Sequence, residues 1–118
     1  MVTHNASARD AFRALAHPTR RTILDMLRVG AARDGLPVGA IAVRFGASRP
    51  AISRHLRILR AARLVVERRA GRVRLCRLNP TPLKPVDEWL DHYRRFWPDQ
   101  LRRLKRHVEA GGVGGSDA

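Results

Sequence analysis

The chain has 118 residues, enough for one compact domain with a real core, so it can fold without a disulfide framework or a structural metal. Its single cysteine, Cys76, excludes an intrachain disulfide, no apolar run approaches a membrane span, and the opening MVTHNASARD lacks the basic-then-apolar pattern of an export signal, so a reducing, cytoplasmic setting is expected. The formal net charge of +14, from 24 Lys and Arg against 10 Asp and Glu, selects polyanionic partners: nucleic acid or an anionic membrane surface.

Residues 1–7 read as a disordered tail, residues 8–110 as the folded domain and the glycine-rich GGVGGSDA, 111–118, as a second disordered tail. Ser7 with Asp10 is placed to open a first short helix, in which Ala8, Phe12 and Leu15 form an apolar stripe at spacings of four and three. His17-Pro18 breaks the chain and starts a second helix with Ile23, Leu24 and Leu27 on its buried face; a loop is expected over 30–36. A third helix begins at Pro37 or Val38 and buries Val38, Ile41, Ala42 and Phe45. Gly46 permits a sharp reversal, Ser48 is a good cap for a fourth helix with Pro50 in its first turn, and Ile52, Leu56 and Leu59 mark the inner face of that helix to about Ala62.

The period then changes. Val65, Val66, Leu75 and Leu78 flank Ala70-Gly71 as the two strands of a hairpin, and NPTPLKP, 79–85, forms a rigid connector. A last helix is expected from about Val86 to Ala110, kinked or restarted at Pro98. The fold class is therefore mainly α with a small β-hairpin: five helices and a two-stranded arm.

Two short helices joined by a glycine-containing turn, VGAIAVRF and SRPAISRHLRILRAA, form a helix-turn-helix. The charge is concentrated there: residues 48–77 hold ten arginines and one acid, a net +9, whereas residues 86–110 hold six bases and five acids, a net +1. Arginine donates bidentately to guanine edges, serine bonds bases or phosphates, and the N-terminal residues of such a helix reach deepest into a major groove. Ser48, Arg49, Pro50, Ser53 and Arg54 are accordingly expected at base edges, with Arg57 and Arg60 on phosphates. Arg68, Arg69, Arg72 and Arg74 crowd the hairpin around Gly71, where phosphates or a minor groove would relieve their mutual repulsion.

The runs FRALAHPTRRTILDMLRVG and VGAIAVRFGASRPAISRHLRILRAARLVVERRAGRVRLCRLNP resemble the ArsR/SmtB family of bacterial winged helix-turn-helix repressors, over roughly residues 8–110. The resemblance implies a homodimer that binds operator DNA and releases it on a signal, with Ser48 to Leu59 matching the family's recognition helix. The family often has glutamine where this chain has Arg49, so the operator sequence does not carry over.

On the last helix Val86, Leu90, Tyr93, Trp97, Leu101, Leu104 and Val108 recur at spacings of three and four, close to a coiled-coil seam, with Trp89 and Phe96 as a second apolar edge. Leu90, Tyr93, Trp97, Leu101 and Leu104 are read as an intersubunit seam, completed, as the resemblance implies, by Phe12 and Leu15 of the first helix. A two-fold dimer would set its recognition helices about 34 Å apart and select a palindromic double-stranded operator.

Sensor chemistry finds little support. The third helix has no cysteine, and Asp91-His92 and His107-Val108-Glu109 do not match the family's metal-ligand spacings, so the chain resembles the metal-independent branch. Glu88 and His92 share a helix face, commonly an ordinary surface pair. Cys76 reads as a small semi-buried side chain, His17 as a helix-start residue and His55 as structural or phosphate-contacting. No catalytic constellation is present, so no enzyme activity and no cofactor are expected. The remaining alternatives to a sequence-specific repressor are a metal- or redox-sensing repressor and a non-specific nucleoid-associated or RNA-binding protein.

Overall fold

The computed structural model describes residues 2–29 and 34–108, with side chains from residue 8 onward. The chain divides into two compact units, one up to Val86 and one from Asp87. In chain order the elements are α1 (Val2–Leu15), α2 (Pro18–Leu27), β1 (Leu36–Pro37), α3 (Val38–Phe45), α4 (Arg49–Ala61), β2 (Val65–Ala70), β3 (Val73–Leu78), a 3-10 turn (Thr81–Leu83), α5 (Lys84–Arg94) and α6 (Trp97–His107). This is a winged helix-turn-helix with six α-helices and a small antiparallel sheet among the described residues, where five helices were expected.

The added helix comes from the expected break: Phe96 N–H returns to the Tyr93 carbonyl, and Trp97-Pro98 open α6, where the proline's missing N–H costs nothing. The other differences are of extent. α1 begins at Val2, upstream of the expected start at Ser7, because the THNASA stretch holds no glycine or proline to stop it. Leu36 and Pro37, expected at a loop end and a helix start, form a third strand that pairs with β3 as Leu36↔Cys76 and Pro37↔Leu75, giving the sheet order β1-β3-β2. A two-residue edge strand has no periodicity to read. The connector 79–85 is shorter than expected, since Lys84 and Pro85 already belong to α5. Residues 30–33 of the expected loop, the C-terminal end of the last helix at 109–110 and the tail 111–118 lie outside the described residues.

The core of the first unit is built from the stripes that the periodicity marks. Ile23, Leu24 and Leu27 of α2, Ile41 and Ala42 of α3, and Ile52, Leu56 and Leu59 of α4 are all buried, joined by Ala14, Met26, Leu64, Val65 and Cys76. Each large aliphatic side chain removed from water contributes about 1.5–3 kcal/mol, which fixes the pitch of α4 against α3.

Two corners set the direction of the functional elements. After α3, Gly46 takes φ 59° and the Ala47 N–H returns to the Ala42 carbonyl, which turns the chain into α4. After α4, Arg63 takes the left-handed conformation, φ 62°, that glycine usually fills. The Arg63 N–H bonds the Arg60 carbonyl at 2.9 Å, the Leu64 N–H bonds the Leu59 carbonyl at 3.0 Å, and Asn79 fastens the corner from both sides. Its side-chain amide donates to the Arg63 carbonyl at 2.9 Å and its backbone N–H to the Leu64 carbonyl at 2.8 Å.

α5, which begins in the first unit, and α6 of the second bury no side chain. Asp87 and Asp91 both pair with Arg94, and Asp99 pairs with Arg102.

Candidate nucleic-acid interface

α4 is fixed from within and charged without. The Ser48 hydroxyl accepts the Ala51 N–H at 3.3 Å and caps the helix, while Ile52, Leu56 and Leu59, at 1% exposure or less, hold it to the core. That leaves Arg49, Pro50, Arg54 and Arg57 exposed and Ser53 half-buried between them. The rigid apolar side supplies the backing that a groove-reading helix needs, because base contacts tolerate little misplacement.

The arm lies beside it. β2 and β3 pair in the register Glu67↔Cys76, Arg68↔Leu75 and Arg69↔Arg74, and Gly71 at φ 67° makes the tight turn with Arg72. Arg69 directly opposite Arg74 is a like-charge cross-strand pair, destabilising unless an anion lies alongside.

Two grooves separate helix from arm. One, of about 240 Å³, is lined by Ser53, Arg57 and Arg60 of α4 and by Glu67 and Arg74 of the arm. The other, of about 520 Å³, lies between the start of α3 and the hairpin tip, lined by Val38, Gly39, Arg49, Arg72 and Arg74 among others. The structure thus brings Arg49, Arg57, Arg60, Arg72 and Arg74 around two adjoining grooves, with Arg74 common to both. Arg54 lies exposed on α4, and Arg68 and Arg69 lie exposed on β2.

Two of these arginines also have close neighbours within the chain. Arg60 bonds Glu67 at 2.6 Å, so its charge is partly answered within the chain and the pair clips the arm to the helix. Arg49 lies back over α3: a Cβ on Gly39 would stand 2.7 Å from its guanidinium, so only glycine leaves room for that pose.

The sequence matches the profile described as "Helix-turn-helix domain" over residues 15–68, which takes in both α3 and α4. The HTH-type transcriptional regulator Rv2034 of Mycobacterium tuberculosis is 39% identical over 112 residues, covering 95% of this chain and 97% of that protein. The fold superposes on the ArsR-like transcriptional regulator from Rhodococcus sp. RHA1 with a TM-score of 0.66 and 29% identity, covering 93% of this chain and 97% of that one. The chain belongs to the ArsR/SmtB family. The transcriptional repressor SdpR of Bacillus subtilis is a further relative, 38% identical over 81 residues, 69% of this chain and 86% of that protein. These relatives are transcriptional regulators rather than enzymes.

A residue of this ArsR/SmtB regulator that the composition hid is Arg20. It is 9% exposed, and no acid pairs with it among the described residues. Its Nε donates to the Ala14 carbonyl at 2.7 Å and its Nη2 to the Arg13 carbonyl at 3.1 Å, so it caps the negative end of α1. Its Nη1 meets His55 Nδ1 of α4 at 3.4 Å; because arginine can only donate, that nitrogen accepts and the imidazole proton sits on Nε2. The signal was spacing: residue 20 precedes Ile23, Leu24 and Leu27 by three, four and seven, the interval of the buried face. His17 caps α2 by accepting the Thr19 N–H at 3.1 Å, as a helix-start residue should, and its ring lies 4.6 Å from that of His55. Burial, then the nearby His17, Arg20 and Arg54, push the His55 pKa below its ordinary value.

Cys76 is buried completely, more than its expected semi-buried position, and burial with Glu67 nearby pushes its thiol up to about 11. A thiol held protonated and out of solvent is a poor nucleophile and a poor metal ligand. His92 Nδ1 donates to the Trp89 carbonyl at 3.1 Å, and among the described residues no three of His, Cys, Asp and Glu are grouped to hold a metal. No helix among them is long and apolar enough to cross a membrane.

The residues expected at a subunit seam fall in both units. On α1, Phe12 is 37% exposed while Leu15 is half-buried and packs on the core. In the second unit Tyr93, Trp97, Leu101 and Leu104 are 44–61% exposed and Leu90 is half-buried.

Proposed function

We propose that this ArsR/SmtB regulator is a homodimeric, cytoplasmic repressor that binds a palindromic double-stranded DNA operator and works without a resident metal. In this reading α4 enters the major groove, Ser48, Arg49, Pro50, Ser53 and Arg54 meet base edges, and Arg57 and Arg60 meet phosphates. Arg68, Arg69, Arg72 and Arg74 follow the flanking backbone or minor groove. The observation that carries it is the opposition on one helix: Ile52, Leu56 and Leu59 buried, Arg49, Arg54 and Arg57 exposed, beside an arm whose cross-strand pair is Arg69 and Arg74. Such a surface gains most from phosphates, which release counterions as the arginines replace them. SdpR is named a repressor, which supports repression as the outcome.

Dimerisation in this reading uses Leu90, Tyr93, Trp97, Leu101 and Leu104 with Phe12 and Leu15. Apolar area of this kind on a small chain is an association surface.

In vitro selection of bound duplexes from a random pool, with the mass in solution measured alongside, tests the proposal. The expected result is a two-fold symmetric consensus bound at least about a thousandfold tighter than random duplex, by a particle of twice the 13.3 kDa chain mass. A monomer, or a pool that emerges without consensus, would overturn it in favour of non-specific nucleic-acid binding.

A further inference from the structure

A third cavity stands apart from the grooves of the interface and shares no residue with them. It has a volume of about 290 Å³ and lies among α1, α2 and the C-terminal half of α4, lined by Asp10, Arg13, Arg20, Ile58, Ala61 and Ala62. Its α4 wall is apolar and built partly of alanines, which leave open the space that larger side chains would fill. The rest is charged: two guanidinium groups against one carboxylate, an excess of one positive charge within a chain of net charge +14.

Arg20 gives the site a fixed cationic wall. It is nine-tenths buried and held by the Ala14 and Arg13 carbonyls and by His55, so it cannot swing into solvent. Those contacts use three of the five N–H donors that a guanidinium carries, which leaves two for a ligand. Arg13, exposed on α1, adds a second fork. Such forks match carboxylates and phosphates alike, and the adjoining apolar wall of Ile58, Ala61 and Ala62 suits a carboxylate on a hydrocarbon body. The volume of about 290 Å³ falls just below the roughly 300–1,000 Å³ typical of ligand pockets, so the rest of the ligand is short, and the Ile58, Ala61 and Ala62 wall makes it apolar.

We propose that this cavity binds a small monocarboxylate, its carboxylate on Arg13 and Arg20 and its aliphatic or single-ring body on Ile58, Ala61 and Ala62. Such a ligand braces α1 and α2 against α4. Resting on the DNA-binding reading of α4, the site is then an effector site, and linkage requires that DNA change the ligand's affinity by the same factor as the ligand changes that of DNA.

The test starts without DNA. Hexanoate and benzoate are titrated into the full chain by calorimetry, with hexanol and benzyl alcohol as neutral matches. Saturable binding of at least one acid, tenfold or more tighter than its alcohol, is expected. Arg13→Gln removes an exposed fork, and Ala61→Phe fills the cavity from an exposed position. Each should weaken binding at least tenfold while leaving the thermal midpoint near wild type. Arg20→Lys keeps the charge but loses the fork, and should weaken binding even if the fold is perturbed. No saturable binding to 10 mM of either acid, equal affinity for acid and alcohol, or unchanged affinity in the first two variants would overturn the site. A second titration with the selected duplex present should shift ligand affinity at least threefold. Binding that is unchanged by a duplex the protein demonstrably holds would overturn the effector role, whereas absence of any duplex binding would count against the DNA reading and leave the calorimetric result standing.

Discussion

The stretch up to Val86 and the stretch from Asp87 onward treat charge and apolar surface in opposite ways. In the first, Ile23, Ile41, Leu59 and Leu64 are completely buried, while Arg49, Arg54, Arg57, Arg69, Arg72 and Arg74 have no acidic partner among the described residues. In the second, Arg94 and Arg102 are answered by Asp87, Asp91 and Asp99, while Leu101 and Leu104 stand 61% and 58% exposed. The first part buries most of its large aliphatic side chains, though Val43 stands 79% exposed, and turns these arginines outward; α6 and the rest of the second part bury no apolar side chain among the described residues, and two of its arginines are paired. The division matches two kinds of partner: a polyanion for the first and an apolar surface, in our proposal a second copy, for the second.

The contrast can be broken most severely in the core. Leu56→Ala leaves a hole in a close-packed interior and should cost about 2–5 kcal/mol, read as a fall in the urea midpoint. The same truncation at Leu104, 58% exposed, should cost the isolated chain far less. Leu104→Asp addresses the second unit instead. Analytical ultracentrifugation should show single chains that keep the wild-type far-UV spectrum, and operator affinity should drop about a hundredfold or more as bivalency is lost. A dimer that survives this change would refute the proposed seam.

Within the first unit, helix and arm should separate under mutation. Arg54→Ala is expected to cost about 1–3 kcal/mol on the selected duplex and less on others. Arg72→Ala should weaken all duplexes alike and reduce the salt slope by about one. Equal losses for both, measured by fluorescence anisotropy at several salt concentrations, would erase the distinction.

The acid response is smaller. The folded state holds His55 below its ordinary pKa of 6.5, so the unfolded chain takes up the proton first as pH falls. Its contribution to stability is therefore complete above about pH 6.5 and declines as acid charges the imidazole beside Arg20. Thermal melts between pH 5 and pH 8 should show that decline, and His55→Gln should flatten it. The smallest effect is expected at the corner after α4, where Arg63→Gly relieves a left-handed side-chain residue. Stability should rise by up to about 1 kcal/mol, offset in part by the extra freedom of the unfolded chain. A fall in the melting midpoint would show that the Arg63 side chain matters more than its backbone.

Much of the first unit was legible because its physics is local. The Ser48 cap, the Gly46 reversal and the stripe Ile52, Leu56, Leu59 each follow from residue type and spacing, and each is where the sequence puts it. The restart at Pro98 was legible for the same reason. What escaped depends on residues distant in sequence. β1 exists only because β3 lies beside it, and Arg60 meets Glu67 only once the hairpin has folded back on α4. Arg20 was hidden by its type, since a guanidinium on an inner face is excused only by carbonyls at another helix's end. Arg63 shows the converse, a position whose conformation calls for glycine and whose residue is held there by Asn79.

That last arrangement bears on how an operator can vary. Asn79 bonds both residues of the corner, so α4 and the arm, the two elements proposed to meet DNA, are joined through one fastened turn. A spare base pair inserted between the steps they touch would displace one footprint by about 3.4 Å along the duplex and rotate it around the axis as well. If α4 and the arm read DNA as we propose, a joint fastened in this way would make spacing within each half-site part of what is recognised, alongside the bases.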